Sequence, residues 1–193
     1  MLTELILDQT VVKEVDCSNN KLSVFKLPNS TDMLEKFSAN NCFGGDVNFK
    51  LDFKKYSKLR ELSLADNMGL TELKIPTHDR LKSVVARNCN LQGTFAFSPG
   101  LRTTDIYPLI ETIDMSNNPN LKVLVNSPYF GYNSVKNVNF TGCNVISVVI
   151  GGMPSHATGL QVRVGVPQRL TGNKVKIQFT DGGVDWFDRW EEW

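Results

Sequence analysis

The sequence predicts a mostly β solenoid of about six coils, closed at its C-terminal end by a hairpin and a short helix. Three observations predict it. Six short apolar alternations each end in an asparagine or a cysteine. A second extended stretch follows each of them and usually ends in proline. The first five alternations and the last share one phase along the chain.

The alternations are "VKEVDCSNNKL" ending at Asn20, "LEKFSANNCF" at Cys42 and "LRELSLADNMGL" at Asn67. "LKSVVARNCNL" follows at Cys89, "IETIDMSNNPNL" at Asn118 and "VKNVNFTGCNV" at Cys143. Each fits L-x-x-L-x-L-x-x-N/C, with other apolar residues replacing some leucines. The end positions lie 22, 25, 22, 29 and 25 residues apart, mostly within the roughly 20–29 residues of one such repeat. Over residues 12–154 the chain therefore resembles the leucine-rich-repeat (LRR) family. That resemblance implies a solenoid whose first strands line one continuous sheet face, commonly the binding surface.

The second stretches are "LSVFKLP", "LTELKIP", "LQGTFAFSP", "LKVLVNSP" and "VISVVIGGMP", ending at Pro28, Pro76, Pro99, Pro128 and Pro154. Proline cannot donate to a strand ladder, so it marks where a strand ends. Only the Cys42 coil departs, with "VNFKLDF" and no proline. These return segments alternate and carry β-branched residues, so they read as extended rather than helical. Each coil is strand, Asn/Cys turn, return segment, proline turn.

The residues at the turn, Asn20, Cys42, Asn67, Cys89, Asn118 and Cys143, form a structural ladder. A sharp turn leaves backbone N–H and C=O groups that must be paired. An Asn amide supplies two donors and an acceptor from one short side chain. Cysteine fits the same dry position as a small residue with a weak donor. Ladder cysteines two coils apart lie roughly 10 Å from one another, too far for a disulfide. Cys17 points into the core, and four buried free thiols are expected.

At the N-terminal end, "LTELILD" (2–8) is too close to Asn20 for a full coil and reads as the return segment of an incomplete one. At the C-terminal end, "LQVRVGVP" (160–167) is a last extended segment and "KVKIQFTDGGVDWF" a hairpin about "TDGG". Residues 1–159 are thus the solenoid and 160–193 a cap or docking segment. Trp186, Trp190 and Trp193 at spacings of four and three, beside Phe187, predict one face of a short helix. That face either caps the last coil or docks into a partner, since tryptophan is enriched in binding hot spots.

No catalytic constellation emerges. His78 and His156 lie in loops without a nucleophile nearby, and the former reads as a solvated loop histidine. The glycine clusters lack the strand-to-helix context of a phosphate loop. Asp185, Asp188, Glu191 and Glu192 lack the spacing of a calcium loop. The sequence points to no enzyme activity, no cofactor and no metal. A net charge of +1 gives no nucleic-acid footprint, and the longest apolar runs are too short to span a membrane. Met1 leads into the repeats with no visible leader, and "NST" at Asn29 and "NFT" at Asn139 are formal sequons of little weight.

Recognition at a surface is what the pattern leaves. The first strands carry Glu14, Lys36, Glu61, Ser83, Thr112 and Asn137 at one outward position. Two residues later come Asp16, Ser38, Ser63, Val85, Asp114 and Asn139. The expectation is a non-enzymatic LRR interaction module whose partner is a protein, a further copy within an assembly, or a glycan. The particular expectation is a structural or adhesion component of a phage particle, made in the host cytoplasm and resident in the virion. The alternative is a secreted, periplasmic or cell-surface bacterial protein that recognises a host protein or glycan.

Overall fold

The structure, a computed structural model, describes residues 1–76, 78, 80–97, 110–127, 137–153, 161–163, 175–179 and 184–187. For residues 96, 97, 124–127 and those from 145 onward only the backbone is described.

The chain is a parallel β-solenoid. One face is a seven-stranded sheet built from β2 (Glu14–Asp16), β4 (Lys36–Ser38), β6 (Glu61–Ser63), β8 (Ser83–Val85), β10 (Thr112–Asp114), β12 (Asn137–Asn139) and β14 (Gln161–Arg163). Its order is β14-β12-β10-β8-β6-β4-β2, so each strand pairs with the equivalent strand of the next coil. All six expected first strands are present. "LQVR" supplies the seventh, which continues the face past residue 159.

The return side is broken into three sheets. β1 (Glu4–Ile6) pairs in parallel with β3 (Val24–Lys26), which makes "LTELILD" a return strand. β5 (Phe49–Asp52) pairs with β7 (Leu70–Lys74). β9 (Gly93–Phe97), β11 (Leu121–Ser127), β13 (Asn144–Met153) and β15 (Val175–Phe179) form a parallel run. β16 (Val184–Phe187) closes that run as an antiparallel strand. The expected hairpin is therefore formed, with Val175 opposite Phe187 and Gln178 opposite Val184.

No described residue is helical. The expected helix on Trp186, Phe187, Trp190 and Trp193 is corrected at its start: Trp186 and Phe187 belong to β16. Trp186 sits opposite Lys176, where the unpaired edge of β15 offers a ladder. Edge pairing satisfies backbone groups that one isolated helical turn would leave open. Trp190, Trp193, Asp188, Glu191 and Glu192 lie outside the described residues, as does His156.

From β4 to β12 each short first strand points its middle residue inward. Phe37, Leu62, Val84, Ile113 and Val138 are buried there between more exposed neighbours. Leu34, Leu59, Leu81 and Ile110 form a second buried row, and Ala39, Leu64, Ala86, Met115 and Phe140 a third. In the first coils Phe25, Phe37, Phe43, Phe49, Phe53 and Tyr56 run ring to ring at centroid separations of 4.5–5.6 Å. Tilted pairs at such distances suit the aromatic quadrupole.

Candidate functional site

The ladder fixes where the strand face lies. Asn67 is fully buried, and its Nδ2 donates to Leu64 O, Ala65 O and, across to the preceding coil, Ala39 O. Its Oδ1 accepts from the N–H groups of Cys42 and Phe43, each at 2.7 Å. Asn118 repeats this with Met115 O, Ser116 O and Ala86 O, and accepts from Leu91 N. Asn20 bonds Cys17 O and Ser18 O and accepts from Leu2 N.

The cysteines do a complementary job. Cys42 Sγ donates to Cys17 O, Cys89 Sγ to Leu64 O and Cys143 Sγ to Met115 O. Each of those carbonyls also accepts from the Asn of its own turn. One asparagine serves its own coil and the preceding one, so the coil between needs only a small side chain with one weak donor. That is why Asn and Cys alternate.

The residue before each ladder position carries the turn. Asn19, Asn41, Asp66, Asn88 and Asn117 have φ between 49° and 62°, and Gly142 has φ of 76°. Asn, Asp and Gly are the residues that tolerate this left-handed region. Gly142 is further required because an added Cβ would lie 2.9 Å from Asn117 Oδ1. Each of the five N–H groups donates to a carbonyl of the next coil at 2.7–2.9 Å. This second column is written in the sequence as "NN", "NC", "DN", "NC" and "NN".

Above this scaffold lies the strand face. Parallel pairing in register aligns Glu14, Lys36, Glu61, Ser83, Thr112, Asn137 and Gln161 as one row, and Asp16, Ser38, Ser63, Val85, Asp114, Asn139 and Arg163 as another. All the expected strand-face residues are thus brought together. Lys36 Nζ lies 3.9 Å from Glu14 and 3.8 Å from Glu61. The neighbouring column is compensated similarly, with Arg60 3.8 Å from Glu35 and Lys82 3.8 Å from Glu111. Such exposed pairs contribute about 0–1 kcal/mol each; their effect is to leave the face without a dominant charge.

The second row is held by local bonds. Asp16, Asp114 and Asn139 each accept from the N–H two residues on, at 3.0–3.1 Å. The bonds from the Ser18 backbone and hydroxyl hold the Asp16 carboxyl below its ordinary value. Ser63 Oγ donates to Asn40 Oδ1, which also accepts from Ala65 N. These side chains are fixed before any ligand arrives.

Two features were not legible beforehand. Cys17 Sγ and Cys42 Sγ lie 3.9 Å apart across adjacent coils. The two sit at different phases of the repeat, a strand end and a turn, and all four thiols are free and buried. The Cys17 bond to Cys42 pushes the Cys17 thiol up and holds Cys42 below its ordinary value. Burial pushes Cys89 and Cys143 up to about 11.

The other feature is a cavity of about 300 Å³ on the return side, lined among others by Lys50, Glu72, Lys74, Gln92, Thr94 and Phe95. It lies where β7 and β9 belong to separate sheets, joined nearby by one backbone bond from Gln92 N to Thr71 O. Glu72 is shared by Lys74 at 2.9 Å and Lys50 at 3.5 Å, which leaves its carboxyl below the ordinary value.

His78 is not the solvated loop histidine expected. It is half-buried, its Nδ1 accepts from Arg80 N, and its Nε2 lies 2.9 Å from Tyr56 O, where it donates. Nε2 ties this coil to the preceding one, and Nδ1 holds the local turn. Among the described residues no three His, Cys, Asp or Glu converge to hold a metal ion, and no helix is long and apolar enough to cross a membrane. No family model, curated protein or solved structure matches the chain.

Proposed function

We propose that the chain is a non-enzymatic leucine-rich-repeat interaction module that binds a partner along the strand face. The observation that supports this reading is the double row of residues at equivalent register positions across seven strands. Parallel pairing repeats the rows at about 4.8 Å, so an extended partner meets evenly spaced positions coil after coil. The fixed Asp16, Asp114 and Asn139 side chains lose little freedom on binding, which lowers the cost of association.

The face divides into two halves. Glu14, Asp16, Lys36 and Glu61 make the first charged; Ser83, Thr112, Asn137 and Asn139 make the second mainly hydroxyl and amide, with the Asp114 carboxylate among them. A protein surface, from a further copy or another component, suits the charged half. In that setting the chain is a structural or adhesion component of an assembly such as a phage particle. The hydroxyl and amide half favours a second reading, a secreted recognition protein whose ligand is a glycan rich in hydroxyls.

Native mass spectrometry of the full chain, with and without Glu61→Arg and Thr112→Arg, tests the reading. Self-association or partner binding abolished by these substitutions at unchanged Tm supports it. Binding that survives both substitutions places the interface elsewhere. Glycan capture lost only in Thr112→Arg favours the second reading.

A further inference from the structure

We infer that Cys17 and Cys42 close into a disulfide when the chain meets a thiol–disulfide oxidant, stapling the first two coils together. The inference rests on placement. Each ladder cysteine sends its S–H to the carbonyl of the residue three before the ladder position of the preceding coil: Cys17, Leu64 and Met115. The side chains at that position form a buried row running Cys17, Ala39, Leu64, Ala86, Met115 and Phe140. Only in the first coil is the residue so met itself a cysteine, and there the two sulfurs come to 3.9 Å. Cys89 and Cys143 meet a leucine and a methionine, so they have no thiol to pair with and act as internal controls.

Bond formation draws the sulfurs together by about 2 Å, to the usual S–S length of roughly 2.05 Å. Cys42 gives up its bond to Cys17 O, but that carbonyl keeps the Asn20 amide at 2.9 Å and is not orphaned. The ladder therefore tolerates the change.

Access is the controlling step, because Cys17 is 4% and Cys42 2% exposed. The pair lies just past the outermost strand of the seven-stranded sheet and its neighbour; β2 pairs with β4 alone. Local opening of an edge unit costs less than global unfolding, and repeats couple only to their neighbours. In the opened state one thiolate attacks a small disulfide such as oxidised glutathione, forming a mixed disulfide and releasing one glutathione thiolate. The second protein thiolate then attacks the mixed disulfide and expels the other. Two electrons leave the protein pair and reduce one glutathione disulfide to two thiols, so the step balances.

The test uses the full chain, reduced, then incubated folded with oxidised glutathione, denatured and alkylated. The expected product is about 2 Da lighter, takes two labels in place of four, and yields one linked peptide pair joining Cys17 to Cys42. The link spans 25 residues, and the oxidised form should melt higher by about 5–10 °C, reversibly with reductant. Cys42→Ser should give no link and accumulate glutathione on Cys17. Four labels after prolonged oxidation, a link that includes Cys89 or Cys143, or an oxidised form that melts at or below the reduced one would each overturn the inference.

Discussion

Asn67 carries more of this fold than its size suggests, because five backbone groups from two coils converge on one amide. Removing it leaves buried donors and acceptors without partners, which costs about 1–3 kcal/mol or more. Asn67→Ala should lower denaturant stability by at least that range. Asn29→Ala, at an exposed turn, should stay within about 0.5 kcal/mol of the parent. Equal midpoints would remove the ladder from the explanation. The thiols add a pH dependence with a definite sign. Cys89 and Cys143 are raised from 9.0 to about 11 by burial, so the folded state holds their protons more tightly than the unfolded chain does. Their contribution is complete below about pH 9 and is lost as pH rises through 11, on the order of 2–3 kcal/mol per thiol. Urea midpoints between pH 8 and 11 should fall steeply, and less steeply in Cys89→Ala.

A first strand here is only three residues long, so its middle side chain does nearly all the packing. Phe37 in β4 is 1% exposed and touches Phe25 and Phe53, whereas Lys36 beside it makes only two long, exposed ion pairs. Phe37→Ala should cost about 3–5 kcal/mol. Lys36→Ala should cost under about 1 kcal/mol. Thermal melts of the two variants check the contrast, and similar losses would mean that surface charge, not burial, sets strand stability. At this scale the sequence was informative wherever phase alone decides. The six strands, the ladder and the hairpin could be read because each depends on a local pattern. Whether Trp186 stays in that hairpin or begins a helix could not, because "WFDRWEEW" fits a helical period as well as "VDWF" fits a strand, and the free edge of β15 decides between them.

For the whole molecule, what the sequence hid was every relation between positions that differ in phase. Cys17 belongs to a strand end and Cys42 to a turn, so no alignment of equivalent residues brings them together; the stagger between adjacent coils does. The cavity beside Glu72 and Gln92 is hidden for a related reason, since it exists only because β7 and β9 end up in different sheets. The strand face, by contrast, followed from phase and parallel register together, which is why its rows emerged intact.

The alternation of Asn and Cys also sets the unit by which such a molecule can grow. Duplicating one coil would place two cysteines or two asparagines in succession. The first leaves a turn carbonyl like that of Ala39 without its amide donor, and the second crowds two amides onto one set of backbone groups. Duplicating a pair, from one cysteine to the next as in 43–89, preserves the alternation of Asn and Cys on which the ladder bonds depend. The heritable module is therefore two coils long, and relatives or redesigns of this chain should gain and lose length in even steps.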